Sequence, residues 1–436
     1  MTAHAAVEPV ARWRVLFEET RPSAGPMQAE RAAAFARFAE LGFPAAREEA
    51  WKYTSLRRLE GRSFVPVTRE QALAREPAPA APLAPLRAVL VNGYLHEASS
   101  DLAGLPQGMR LSSLGGGSAG ERAATSWLRI PSGGGTERFA ALNAALCGDA
   151  LLIEVDASVR AATALHLLLD AVGDGPSVSH PRVLVKLAPD AGLKLVVQYR
   201  GDNRAERFVN TVIDIEAGER SELRLYRLQQ QGAKSFQIER IEAALDREAR
   251  LIVNDASLGA SLARLDLQVR LLGRGASTEL TGLFLADETR HLDTQLRVEH
   301  AATDTASLQD YRGIAAGRGR GVINSKAVVN VGAQKSRTQQ TSRNLLLTPG
   351  AEIDTKPELE IRADDVQCNH GATTGQLDPA ALFYLRSRGL DEGAARNVLI
   401  RAFAGPVLSR IDLPSFAQAV HREFDSRLDR LLMAPS

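Results

Sequence analysis

Val183-Leu184-Val185-Lys186-Leu187-Ala188-Pro189-Asp190-Ala191-Gly192-Leu193-Lys194-Leu195-Val196-Val197 is the stretch on which the reading of this chain turns. Two short runs of β-branched and aliphatic residues flank a Pro-Asp-Ala-Gly turn signal, so the segment reads strand, turn, strand. The period of two returns in Ser221-Glu222-Leu223-Arg224-Leu225-Tyr226, and similar turn signals return at Glu216 to Glu219, Gly273 to Gly275 and Pro349 to Glu352. Several intervals are about 26 to 30 residues, the scale on which supersecondary units stack into solenoids. Spacing alone leaves two architectures open: stacked coils, or a β-sandwich of ordinary hairpins.

Outward from this stretch the period changes to 3.6. Trp13, Leu16 and Phe17, then Phe35, Phe38, Ala39 and Leu41, recur at helical spacing, with Pro22 to Pro26 between them and Gly42 and Pro44 as a stop. Glu76 to Pro85 is proline-rich and reads as an extended linker, as do the glycine tracts Gly115 to Gly120 and Gly133 to Gly135; Ala88 to Val91 between them reads as a strand and Arg138 to Leu146 as a helix. Near the C-terminus Asp378-Pro379 caps a helix ended by Gly389. Asp391 caps a second, carrying Ala394, Ala395, Val398, Leu399, Ala402 and Phe403 to one side until Gly405-Pro406 stops it. Phe416, Val420, Phe424, Leu428 and Leu432 form a stripe on a third, either intrachain core or a docking face. The chain thus divides into a helical and irregular region over 1–150, a strand-rich core over 151–376 and a helical region over 377–436.

The chain has 436 residues, 44% of them hydrophobic, enough for real cores in two or three domains. Fifty-three basic and 52 acidic residues leave a net charge of +1, so no global field draws it to nucleic acid or an anionic membrane. The N-terminus lacks the basic and apolar regions of a signal peptide, and no apolar run reaches the roughly 20 residues of a membrane helix. A soluble, cytoplasmic protein with reduced thiols is expected. The two cysteines, Cys147 and Cys368, exclude a disulfide framework and a self-contained zinc or iron–sulfur ligand set. Cys147 reads as a buried structural thiol. No Walker, Gly-x-Ser-x-Gly or His-Glu-x-x-His motif is present.

The sharpest local feature is Val366-Gln367-Cys368-Asn369-His370-Gly371-Ala372-Thr373-Thr374-Gly375. On an extended backbone Cys368 and His370 project from one face. Thiolate and imidazole suit iron, zinc or copper, but two ligands do not close a site, and the rest must come from elsewhere. A buried hydrophobic cysteine beside an ordinary polar histidine, and a Cys/His nucleophilic pair, are the other readings. Gly317-Arg318-Gly319-Arg320-Gly321 reads as a flexible basic loop rather than an RNA-binding segment. The polar run Gln334 to Asn344 reads as either a solvated corner or a protein contact.

Asn344-Leu345-Leu346-Leu347, Pro357-Glu358-Leu359-Glu360-Ile361, Cys368-x-His370-Gly371-Ala372-Thr373-x-Gly375 and Leu382-Phe383-Tyr384-Leu385-x-Ser387-Arg388-Gly389 together resemble the SufB/SufD family of iron–sulfur cluster assembly proteins. Glu48-Glu49-x-Trp51-Lys52-Tyr53-Thr54, the moderate length and the few cysteines favour its SufD branch over SufB, which should be longer and richer in cysteine. The resemblance implies a central right-handed parallel β-helix between helical regions, paired with SufB through the β-helix and docking the SufC ATPase through the helices from about 377 to 436. It implies that His370 faces a SufB cysteine where a transient iron–sulfur cluster forms, with Cys368 as the second candidate ligand. It further implies a scaffold without turnover of its own and without ATP on this chain, whose C-terminal helices move when ATP dimerises SufC. Reduced flavin is associated with the family complex, though no residue here places it, and the isolated chain could use the SufB surface to form a homodimer. A stand-alone β-helix that binds or cleaves carbohydrate is the alternative of a different class.

Overall fold

The computed structural model describes residues 9–20, 27–45, 47–114 and 137–433. The glycine tracts within 115–136 and the segment 21–26 lie outside the described residues. The strand-rich core is a parallel β-solenoid of eight coils, each giving one strand to each of two sheets. The first sheet runs through Leu151–Val155, Arg182–Leu187, Arg207–Ala217, Ser235–Leu245, Leu262–Leu271, His291–His300, Arg320–Val329 and Glu352–Ile361. The second runs through Leu165–Ala171, Gly192–Gly201, Glu222–Gln229, Arg250–Ser257, Ser277–Ala286, Ala306–Ala315, Arg337–Leu346 and Gln367–Gly375. Every pairing between successive coils is parallel, which a sandwich of hairpins cannot provide. Paired residues lie from 26 positions apart, Phe236 beside Leu262, to 32 apart, Arg320 beside Glu352.

Period-two alternation does two jobs here. One set of side chains fills the space between the sheets, as with Val183, Val185, Leu195, Val197, Ile213, Ile241, Leu267 and Val269, all buried in one continuous core. The other set faces outward, and helices cover part of it on each sheet. Coil corners are tight: Gly317 has φ +65°, and a Cβ on Gly319 would fall 2.0 Å from the carbonyl oxygen of Ala286. The Gly-Arg-Gly stretch is therefore a corner leading into strand Arg320–Val329, not the flexible loop expected from its composition.

Helices Pro9–Thr20, Gln28–Leu41 and Glu137–Leu146 pack on the outer face of the first sheet, where Trp13, Phe35, Phe38 and Phe139 meet Phe208, Phe236 and Leu262. Cys147 is fully buried beside them. Strands Leu86–Val91 and Met109–Ser113 extend the two sheets beyond the first coil, the former parallel to Leu165–Ala171 and the latter antiparallel to Leu151–Val155. The proline-rich segment is not a free linker. The Ala78 N–H donates to Asp170, Arg200 donates to the carbonyls of Ala78 and Pro79, and the Leu83 N–H donates to His166 Nδ1. Proline removes donors and favours extension, which suits a strap held by its remaining amides and carbonyls as well as it suits a tether.

Helices Pro379–Ser387, Glu392–Leu408 and Pro414–Met433 follow the last coil. Asp378 and Asp391 cap the first two, accepting from the N–H groups of Ala380 and Ala394. Phe416, Val420, Phe424 and Leu428 pack on the outer face of the second sheet against residues such as Tyr226, Leu228 and Ile314, so this stripe is intrachain core; the Leu432 side chain lies outside the described residues. Two expectations need correction. Pro406 does not end its helix, which continues to Leu408: the lost amide bond falls in the last turn, and Val407 and Leu408 gain burial by remaining helical. The buried face is Ala395, Ile400, Ala404, Val407 and Leu408, while Val398 is exposed. That helix is apolar almost all round, and spacing could not choose its face.

Candidate functional site

Because the coils stack in register, inward-facing side chains form columns across the second sheet. One runs Leu193, Leu223, Leu251, Thr278, Ser307, Thr338, Cys368. Its neighbour runs Leu195, Leu225, Val253, Leu280, Gln309, Gln340, His370. Both are aliphatic in the early coils and polar toward the last, and each ends on one of the two residues that the sequence singles out. Strand Gln367–Gly375 is extended, so Cys368 and His370 share the face that turns toward the solenoid interior. Among the described residues no further coil covers them: His370 is exposed and Cys368 half-buried. Burial pushes the Cys368 thiol up from its ordinary value.

Among the described residues the two last strands, Glu352–Ile361 and Gln367–Gly375, each pair on one side only, leaving two free sheet edges at one end of the solenoid. The Gln367 N–H donates back to the Ser336 carbonyl. By the alternation of a parallel ladder, the N–H groups of Cys368, His370, Ala372 and Thr374 point to the free edge. Outward on the first sheet's edge stand Glu352, Asp354, Lys356, Glu358 and Glu360, with burial and nearby Glu352 raising the Asp354 pKa.

Beneath this end the interior holds Gln309, Tyr311, Ser325, Gln340, Ser342 and Thr355 around a cavity of about 10 Å³. The polar run around Gln334 to Asn344 is thus half interior, Thr338, Gln340, Ser342 and Asn344 turning in. Sequence reasoning missed these residues, although their alternation with Arg337, Gln339, Thr341 and Arg343 is the same period of two seen at 183–197. Deeper in, Arg227 is buried between Glu239 at 2.7 Å and Asp255 at 2.6 Å. Among the described residues no three His, Cys, Asp or Glu side chains converge as a metal site.

A second feature lies on the C-terminal helices. Phe383 is 74% and Tyr384 56% exposed, with Leu390 and Val398 also open. Among the described residues no helix is long and apolar enough to cross a membrane.

The family model described as "SUF system FeS cluster assembly, SufBD core domain" matches residues 169–403, and that for the "SufBD protein N-terminal region" matches 16–167. An iron–sulfur cluster assembly SufBD family protein of Synechocystis sp. is 32% identical over 86% of this chain and 85% of its own length. The iron–sulfur cluster assembly protein SufD of Escherichia coli is 28% identical over 96% of both chains, and the chloroplastic protein ABCI7 of Arabidopsis thaliana 25% identical over 88% of this chain and 82% of its own. These matches run through the β-solenoid and both helical regions and leave no room for an unrelated carbohydrate-active β-helix. The chain belongs to the SufBD family of iron–sulfur cluster assembly proteins and is a homologue of SufD.

Proposed function

We propose that this chain is the scaffold subunit of a SufB–SufC–SufD complex and lends His370, with Cys368 beside it, to a cluster built at the SufB interface. The observation that carries this reading is the pair of uncovered inward columns ending on Cys368 and His370 between two free sheet edges. A partner solenoid that continues both sheets would place its own ligands opposite these two residues, and two ligands here with others across the interface complete a coordination sphere that this chain lacks. The nascent iron–sulfur cluster is cargo: it is built, held and handed on. Cysteine and histidine are ligands of suitable softness for it, and a site open on one side allows release.

SufC docks on the apolar surface of Phe383, Tyr384, Leu390 and Val398, because the stripe on the final helix is already used inside the chain. ATP-driven dimerisation of SufC then shifts these helices against the solenoid and opens the SufB interface. This chain binds no ATP and turns over nothing itself; reduced flavin, where the complex carries it, has no place assigned on this chain. Alone, the chain satisfies its free edges by pairing with a second copy. Co-expression with SufB and SufC followed by anaerobic reconstitution with ferrous iron and a sulfur donor tests this reading. A stoichiometric complex that develops iron–sulfur absorbance is expected; failure to associate with SufB would overturn it.

A further inference from the structure

Gln340 stands one coil beneath His370, paired with it in the parallel register and turned to the same face. It is 2% exposed. Its amide nitrogen donates to the backbone carbonyls of Ser325 at 3.1 Å and Glu358 at 3.5 Å, which fixes the amide orientation and leaves Oε1 as the open atom. That oxygen is buried and has no hydrogen-bond partner among the described residues. Leaving a buried acceptor unmet costs stability, and the same column in early coils is filled by Leu195, Leu225 and Val253 at no such cost. An apolar residue at 340 would forfeit the two donations but leave no acceptor unmet, so packing alone does not call for glutamine there.

Neighbouring positions of a parallel ladder lie about 4.8 Å apart, within reach of a hydrogen bond between an imidazole and a glutamine side chain. A histidine that binds a metal through one ring nitrogen has its other N–H to place, and an acceptor there fixes both tautomer and ring plane. We infer that Gln340 is a positioning residue for His370, its Oε1 accepting the N–H of the ring nitrogen that faces away from the cluster. The inference rests on the reading of His370 as a ligand. Gln309 follows in the same column, its Oε1 accepting from Ser325 Oγ and its own Nε2 without a partner among the described residues.

The test uses the SufB–SufC complex of this chain carrying Gln340→Leu or the near-isosteric Gln340→Met. Three quantities are read: melting temperature of the isolated chain, cluster retained per complex, and the histidine nitrogen coupling in pulsed EPR of the one-electron-reduced complex made with ¹⁵N-histidine. Both apolar variants should melt close to the wild-type temperature and assemble normally. They should retain about 10- to 100-fold less cluster and show an altered nitrogen coupling. Wild-type retention and coupling in both apolar variants, alongside loss of the coupling in His370→Ala, would overturn the role of Gln340 and leave the ligand reading standing. A coupling that survives His370→Ala would overturn the ligand reading and this inference together.

Discussion

The hydroxyl of Thr54 donates to the carboxylate of Asp293 at 2.6 Å, tying the N-terminal region to the sixth coil of the solenoid. Asp293 also accepts from Arg264 at 2.6 Å, and that guanidinium lies 3.9 Å from the ring centroid of Trp51. His291 Nε2 lies 2.9 Å from the same hydroxyl; because the hydroxyl proton goes to Asp293, the imidazole is the donor. Glu49 reaches Lys356 in the last coil at 2.6 Å. The Glu-Glu-x-Trp-Lys-Tyr-Thr stretch is therefore a clasp on the outer face of the first sheet.

Thr54→Val keeps the shape of the side chain and removes the donor to a buried carboxylate. It should cost about 1–3 kcal/mol in urea-induced unfolding, with Thr54→Ser close to wild type. Glu49→Ala, which breaks an exposed pair, should leave the urea midpoint close to that of the wild type.

Phe383, on the first of the three C-terminal helices, and Phe424, on the third, have opposite exposures, 74% and 1%. Phe383→Asp should abolish SufC binding in a pull-down while leaving the melting curve unchanged. Phe424→Ala should destabilise the chain by about 3–5 kcal/mol through the cavity it leaves beneath the helix.

Ala372→Pro removes an N–H that points to the free edge and so spares the internal ladder. The variant should fold with an unchanged circular dichroism spectrum and lose affinity for SufB in gel filtration. Unaltered SufB binding would show that this edge is not the pairing surface.

Buried histidines set an acid limit. Burial, reinforced by the Arg87 charge, lowers the His166 pKa to about 4, and burial lowers that of His300 to about 4. The Leu83 N–H donates to His166 Nδ1 at 3.2 Å, so the ring is neutral and donates through Nε2 to Gln198 at 2.9 Å. The unfolded chain binds these protons near pH 6.5 and the folded chain only near 4, so the stability from each is complete above about 6.5 and is lost as pH falls toward 4. Each histidine contributes a slope of about 1.4 kcal/mol per pH unit in that window. Unfolding followed from pH 7 to 4.5 should show this slope, reduced by one histidine's share in His166→Gln.

The strands, the helices and the Cys-x-His pair were legible because period, caps and turn residues act locally. Strand Gln367–Gly375 places Cys368 and His370 on one face, as expected for extended backbone. What stayed hidden depends on register between coils about thirty residues apart. That Gln340 lies beneath His370, or that Arg227 stacks beside Asp255, follows only when corner lengths are known. The proline-rich strap was misread because composition records that a segment is extended but not whether its carbonyls find donors. Pro406 was misread because the cost of a proline falls sharply within the last turn of a helix.

The most direct measurement is cluster yield in the SufB–SufC complex carrying His370→Ala. The side chain is exposed at the open end, so its loss should leave folding and subunit stoichiometry unchanged while iron–sulfur absorbance after anaerobic reconstitution falls at least about tenfold. Wild-type absorbance in an intact complex, or a complex that no longer assembles, would contradict the assignment of His370 as a ligand to the nascent cluster.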